Sequence, residues 1–165
     1  MLNGLISFSI QPLKLKVFRF KQFSIEDKRS AMKVGTDAVL LGAWVNLKGV
    51  KRILDVGTGC GIIALMLAQR TKEDVNIDGI EIDEQCVQQA KENLLETIWC
   101  NRVLMHRYSL QAFRSPFKYD LIVSNPPYFN NSQLPPKAHR ARARHTDSLS
   151  FKELLHHSVR LINVK

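Results

Sequence analysis

The stretch RILDVGTGCGIIALMLAQR, residues 52–70, decides the architecture. Arg52 to Val56 form a short apolar run that ends at Gly57, and the nine residues after Gly61 have helical length and propensity. The segment therefore reads as strand, glycine turn, helix. The pattern recurs downstream. VNIDGIEI (75–82) is rich in β-formers, and Asp83 opens a helix in which Val87, Ala90, Lys91 and Leu94 recur every three to four residues. RVLMH (102–106) and YDLIVS (119–124) supply a third and a fourth strand, the latter stopped by Asn125-Pro126-Pro127. Alternating β and α segments predict a mainly parallel, doubly wound α/β sheet with right-handed crossovers. Upstream, Thr36 and Asp37 ahead of AVLLGAWV predict a helix over 36–47 with Gly49 as its stop. At the other end, Ser150-Phe-Lys-Glu153 is a capping box, with Leu149 and Leu154 as a hydrophobic staple. Phe151, Leu154, Leu155, Ser158, Val159 and Ile162 then share one helical face, and both Trp44 and Phe151 are expected in the core.

The whole chain has 165 residues, 45% hydrophobic and 24% charged. Those figures suit one globular domain that buries about 70% of its unfolded surface, and they argue against disorder. A formal net charge of +9 suits a polyanionic partner or simple solubility. Cys60, Cys86 and Cys100 include no C-x-x-C pair, which argues for a reducing, cytoplasmic setting and against a disulfide scaffold or a metal site. The opening MLNGLISFSIQPLKLKV reads as an unassigned leader, 1–17, ahead of a domain over 18–165. It lacks a charged n-region and an A-x-A site, and no run approaches the roughly 18 apolar residues of a membrane span.

Two constellations carry chemistry. Asp55-Val-Gly57-Thr58-Gly59-Cys-Gly61 places glycines at every second position after a strand, where a backbone can bend sharply and approach a ligand. Ordinary strand-to-helix turns also use glycine. Glu81 stands 24 residues after Gly57, near the spacing of about 20 at which an acid grips ribose hydroxyls. A carboxylate two residues before the first glycine suits a cationic ligand better than a pyrophosphate. S-adenosylmethionine, with sulfonium, ammonium and ribose diol, meets that description. Asp83 reads as a second ribose contact or as a helix N-cap. The other constellation is Ser124-Asn125-Pro126-Pro127-Tyr128 at the end of the fourth strand. The Asn125 side-chain oxygen and the Pro126 carbonyl are two acceptors for one planar NH₂ group, and Tyr128 offers a ring to stack on the attached base or amide.

Phe18 to Leu161 resembles the bacterial adenine-N6 methyltransferases that act next to the anticodon of valine tRNA, which belong to the Rossmann-like class I methyltransferases. FRFKQFSI (18–25), AMKVGTDAVLLGAW (31–44), SLQAF (109–113), YDLIVSNPPYF (119–129) and ARHTDSLS (143–150) carry the likeness. The resemblance implies a donor pocket around Asp55, Gly57, Thr58, Gly59, Gly61, Glu81 and Ile82. The segment from Lys33 to Asp37, with Lys33 and Thr36 as donor contacts, covers that pocket; Asn125 also borders the donor, and Asn125 to Tyr128 receive the target amino group. Relatives carry an acid after the third strand; here Ser109 or Gln111 would serve near the donor's adenine. The family fold also continues beyond the fourth strand and its following helix. A chain ending at Lys165 is thus expected to be a truncated member that binds donor weakly, turns over little and self-associates through an exposed sheet edge.

Lys137, His139, Arg140, Arg142 and Arg144 follow the N-P-P-Y stretch and could meet tRNA phosphates, although a charge run also makes an ordinary solvated face. His145 reads as a substrate contact or a loop anchor, and His156 and His157 lack metal-ligating partners. Glutamine amides on proteins and adenines in DNA pose the same geometric problem as adenine in tRNA. An amide-N5 protein methyltransferase, a DNA adenine-N6 methyltransferase and an inactive cofactor- or RNA-binding fragment are therefore the alternatives.

Overall fold

The computed structural model describes residues 17–30, 32–126 and 149–164. Four strands form a parallel sheet: β3 (Arg52–Val56), β4 (Asn76–Glu81), β5 (Val103–Arg107) and β6 (Leu121–Ser124), in the order β5-β4-β3-β6. The apolar run 52–56 takes the interior place because it can be covered on both sides. Its residues pair with Asn76–Ile80 on one flank and, from Ile53, with Leu121–Ser124 on the other. The doubly wound expectation stands.

Side chains alternate between the two faces of the sheet. Ile53, Ile77, Val103 and Val123 point into one core with α1 (Thr36–Trp44), α2 (Ile62–Arg70) and α3 (Glu84–Leu95). Leu54, Val56 and Ile80 point into a smaller one with Leu110, Phe113, Tyr119 and Leu161, against which α4 (Phe151–Val159) rests Leu154. Asp83 caps α3 by accepting from Cys86 N at 2.9 Å, and the Ser150–Glu153 capping box forms at α4 as its spacing predicts.

The structure adds one element and corrects two expectations. First, β1 (Val17–Arg19) and β2 (Ser24–Glu26) make an antiparallel hairpin ahead of α1. Three-residue strands give too little alternation to read; stacking of Phe20 on Phe23 at 4.6 Å and the edge of Phe23 against Trp99 hold it. Second, α1 ends at Trp44 rather than 47, and Trp44 is 84% exposed. The helix approaches α2 along Ala38 and Gly42, so closely that a methyl on Gly42 would stand 2.7 Å from Met66 Sδ. Trp44, two residues on, is turned about 200° away. Third, Phe151 is 61% exposed. The apolar face of α4 splits, with Leu154, Ser158 and Ile162 partly covered and Phe151, Leu155 and Val159 facing outward. The β6 edge is also partly covered. Tyr119 N donates to Leu161 O at 2.8 Å and Asn163 N to Tyr119 O at 2.7 Å, so the chain after α4 starts to pair beside it.

Candidate active site

Parallel pairing brings the carboxyl ends of β3, β4 and β6 to one edge of the sheet, where doubly wound folds bind ligands. Val56 is in register with Ile80 on one side and Ser124 on the other. Ser124 Oγ donates to Val56 O at 2.8 Å, fastening the start of the Asn125-Pro126 turn to the start of the glycine turn.

The glycine turn is a closed hydrogen-bonded unit. Gly57 N and Thr58 N both donate to Ile80 O, at 2.9 and 3.1 Å, and Gly61 N donates to Thr58 O at 2.9 Å. Gly57, Gly59 and Gly61 have φ of 71°, 57° and 87°, a left-handed conformation that only glycine adopts without strain. Among the described residues a methyl on Gly57 or Gly59 would meet nothing within 4 Å, so they leave space open over the turn. Below it lies Gly79 of β4, where a methyl would stand 2.7 Å from Met105 Sδ and 3.0 Å from Thr58 Oγ1.

Two carboxylates brace the turn, one buried beneath it and one beside it. Asp55 is fully buried; its Oδ2 accepts from Thr58 Oγ1 at 2.6 Å and from Ala64 N at 3.1 Å. Its Oδ1 has no partner among the described residues. Burial pushes the acid up to about 6 despite those two bonds, with Glu81 adding charge repulsion. Glu81 Oε1 accepts from Ile82 N at 2.8 Å and Asp83 N at 3.0 Å, while Oε2 accepts from Gly59 N at 3.1 Å. The acid thus ties the end of β4 to the glycine turn, and a carboxylate with about four acceptor positions keeps room for a hydroxyl. Ile82 beside it is 46% exposed. Cys60, within the turn, is buried, which pushes its thiol up to about 11 and leaves it inert.

The remaining sequence candidates fall into four groups. Asn125 stands at the end of β6, its Nδ2 donating to Asp37 Oδ2 at 2.9 Å, and Pro126 follows it. Thr36 is the first residue of α1, and Lys33 is tied within its own loop, donating to Asp27 O at 2.6 Å and Lys28 O at 3.2 Å. Gln111 lies in the turns after β5, where its carbonyl accepts from Arg160 at 3.1 Å; it joins neither turn. Pro127, Tyr128, Arg140, Arg142, Arg144 and His145 lie outside the described residues.

Sequence reasoning missed two anchors. Asn93, buried in α3, donates to Cys60 O at 2.9 Å and Glu26 O at 2.8 Å and accepts from Glu26 N at 3.0 Å. It clamps the hairpin onto the glycine turn. A polar residue beside Ala90 and Leu94 on the apolar face was its signal. The buried acid Asp27 accepts from Val34 N at 3.0 Å and fixes the approach to α1. Among the described residues no group of three or more His, Cys, Asp or Glu could hold a metal, and no helix is long and apolar enough to cross a membrane.

The sheet order and the glycine turn after its interior strand define a Rossmann-like methyltransferase core. A SAM-dependent methyltransferase from Thiobacillus denitrificans, solved with S-adenosyl-L-homocysteine, superposes with a TM-score of 0.56 at 15% identity over 79% of this chain and 45% of its own. YjhP from E. coli does so at 0.55 and 17% identity over 79% and 46%. The chain belongs to the methyltransferase small domain family, whose model matches residues 30–146. It is similar to proteins named tRNA1(Val) (adenine(37)-N6)-methyltransferase. That of Tolumonas auensis is 51% identical over 88% of this chain and 61% of its own length. That of Trichodesmium erythraeum is 52% identical over 88% and 62%. The chain spans about three fifths of the length of these curated relatives.

Proposed function

We propose that the full-length protein transfers a methyl group from S-adenosylmethionine to the exocyclic N6 of an adenosine in tRNA, the anticodon-loop adenosine of valine tRNA. The observation that carries this reading is the pairing of the glycine turn and the Asn125-Pro126 turn on adjacent strands, fastened by Ser124 to Val56 at 2.8 Å. The names of the relatives, at about half identity, supply the substrate.

The residues present fit the donor. The space that the described residues leave over Gly57 and Gly59, the one acceptor position Glu81 keeps beside its three backbone partners and the exposed face of Ile82 suit a ribose-bearing ligand, and the buried Asp55 carboxylate behind the turn suits a cationic one. S-adenosylmethionine, when bound, supplies an electrophilic methyl group. Asn125 Oδ1 and the Pro126 carbonyl accept the two N–H bonds of the target amine, which orients its nitrogen and raises its electron density, and Tyr128 stacks on the base. Arg140, Arg142, Arg144 and His145 meet the RNA backbone, and the protein works in the cytoplasm on this reading. The outward residues Leu155 and Val159, with the β6 edge, form the surface for self-association of the 165-residue chain.

The test is methylation with labelled donor of unmodified valine tRNA, a protein release factor and DNA. Label is expected in tRNA alone. Asn125→Ala should lower turnover about a hundredfold while donor affinity holds, since the lost acceptor acts on the reacting amine. Glu81→Ala should instead weaken donor binding roughly tenfold. Label in the release factor or in DNA overturns the substrate, and wild-type turnover in Asn125→Ala overturns the site.

A further inference from the structure

Resting on that reading, we infer that Asp37 is a positioning residue, whose carboxylate holds the Asn125 carboxamide with its oxygen, not its NH₂, toward the target amine. The two residues lie 88 apart in sequence, yet Asn125 Nδ2 donates to Asp37 Oδ2 at 2.9 Å. An ionised carboxylate only accepts hydrogen bonds, so the side of Asn125 that faces it must be the NH₂. A free carboxamide has two nearly isosteric orientations a half-turn apart. One of them offers an acceptor to the substrate's N–H groups. The other offers a donor, which opposes them. Asp37 removes the second.

Asp37 is itself held in place. As the second residue of α1 it meets unpaired backbone N–H groups. The bond from Asn125, with smaller contributions from the N–H of Ala38 and its own, holds its acid below the ordinary carboxylate range. The approach to the helix is fixed from behind by Asp27, which accepts from Val34 N. Gly35 leaves that place open. Its φ of −106° and ψ of 160° are open to any residue, so the backbone does not require glycine there. A methyl at that position would instead run into Asp37 Oδ1. Gly35 keeps clear the place where the carboxylate must sit.

The experiment uses full-length protein and combines a double-mutant cycle with a direct view of the amide. Asp37→Ala should lower kcat about tenfold to a hundredfold, the scale of a displaced catalytic group, with donor affinity unchanged. Added to Asn125→Ala it should cost nothing more, because it acts through Asn125. Asp37→Asn, whose carboxamide can donate as well as accept and so admits both orientations of Asn125, should recover only part of the rate. Gly35→Ala, which keeps the carboxylate but displaces it, should fall between. In ¹⁵N spectra the Asn125 side-chain NH₂ signals, identified by their loss in Asn125→Ala, should move upfield and exchange faster with water in Asp37→Ala. Wild-type kcat in Asp37→Ala, a full additional loss on the Asn125→Ala background, or NH₂ signals indifferent to Asp37 would each overturn the inference. A wild-type protein that methylates nothing overturns the proposed function instead, and the NH₂ signals then decide the orientation alone.

Discussion

The two sides of the sheet are built on different principles. On the side of α2, seven consecutive residues from Ile62 to Ala68 are buried, and the helix grows directly out of the glycine turn. On the side of α4 no helical residue is buried. That side is pinned by polar contacts: Tyr119 donates to Asp78 Oδ2 at 2.8 Å, and Arg160 reaches the carbonyls of Gln111 and Phe113 at 3.1 and 3.0 Å. The glycine turn therefore stands on a close-packed wedge whose parts cannot shift independently. The Asn125 turn is placed by strand pairing, Ser124 and Asp37. On the proposed reading, a fixed donor and a lightly framed acceptor suit an enzyme that must admit a bulky substrate to one side of a small ligand.

The sharpest way to break the comparison is to remove equal volumes from the two sides. Leu65 in α2 has no exposed surface. Leu65→Ala should cost about 2 to 5 kcal/mol, since the surrounding helices cannot collapse into the void. Urea unfolding at constant slope is the measurement. A loss below about 1 kcal/mol would show that the crowded side is not the source of stability.

A second, slightly smaller effect lies in Asp55. Its acid rises from 3.8 to about 6 on folding, so the folded chain takes up a proton between those values. The contribution to stability is full below pH about 4 and is lost as pH climbs through about 6, amounting to roughly 3 kcal/mol at most. Asp55→Asn lacks the titration. Its oxygen can still accept from Thr58 and Ala64, as Asp55 Oδ2 does. The difference in unfolding free energy between wild type and variant should therefore move against the wild type from pH 4 to 7. A constant difference would mean that the acid is ionised throughout.

The crowded side was the more legible in sequence, for the same physical reason that it is stable. Its signals are local: Asp55 to Gly61 is a turn written in consecutive residues, and Asp83 caps the helix it immediately precedes. Gly79 also carried a readable sign, since glycine inside a strand marks a close approach. What stayed hidden depends on distance in sequence. The Asp37–Asn125 contact spans 88 residues, and Asn93 meets Glu26 across 67, separations over which no periodicity operates. Trp44 and Phe151 misled because large apolar side chains are usually buried, and here neighbours closer to the helix contact took that place.

The smallest effect should come from the matching deletion on the open side. Leu155 of α4 is 68% exposed, one position beyond Leu154, which reaches the smaller core. Leu155→Ser removes a side chain already largely in water, so the unfolding free energy of the monomer should change by no more than about 0.5 kcal/mol. Association is a different matter. Leu155 and Val159 lie one helical turn apart, and Val159 is 69% exposed, so together they offer a continuous apolar stripe. If the 165-residue chain self-associates along that stripe, Leu155→Ser should shift sedimentation toward monomer at concentrations where the wild type is mixed, while the dilute unfolding midpoint stays where it was. A loss of several kcal/mol in dilute solution would place Leu155 in a core of its own and erase the contrast between the two sides. An unchanged sedimentation profile in a wild type that does associate would leave the β6 edge as the surface responsible.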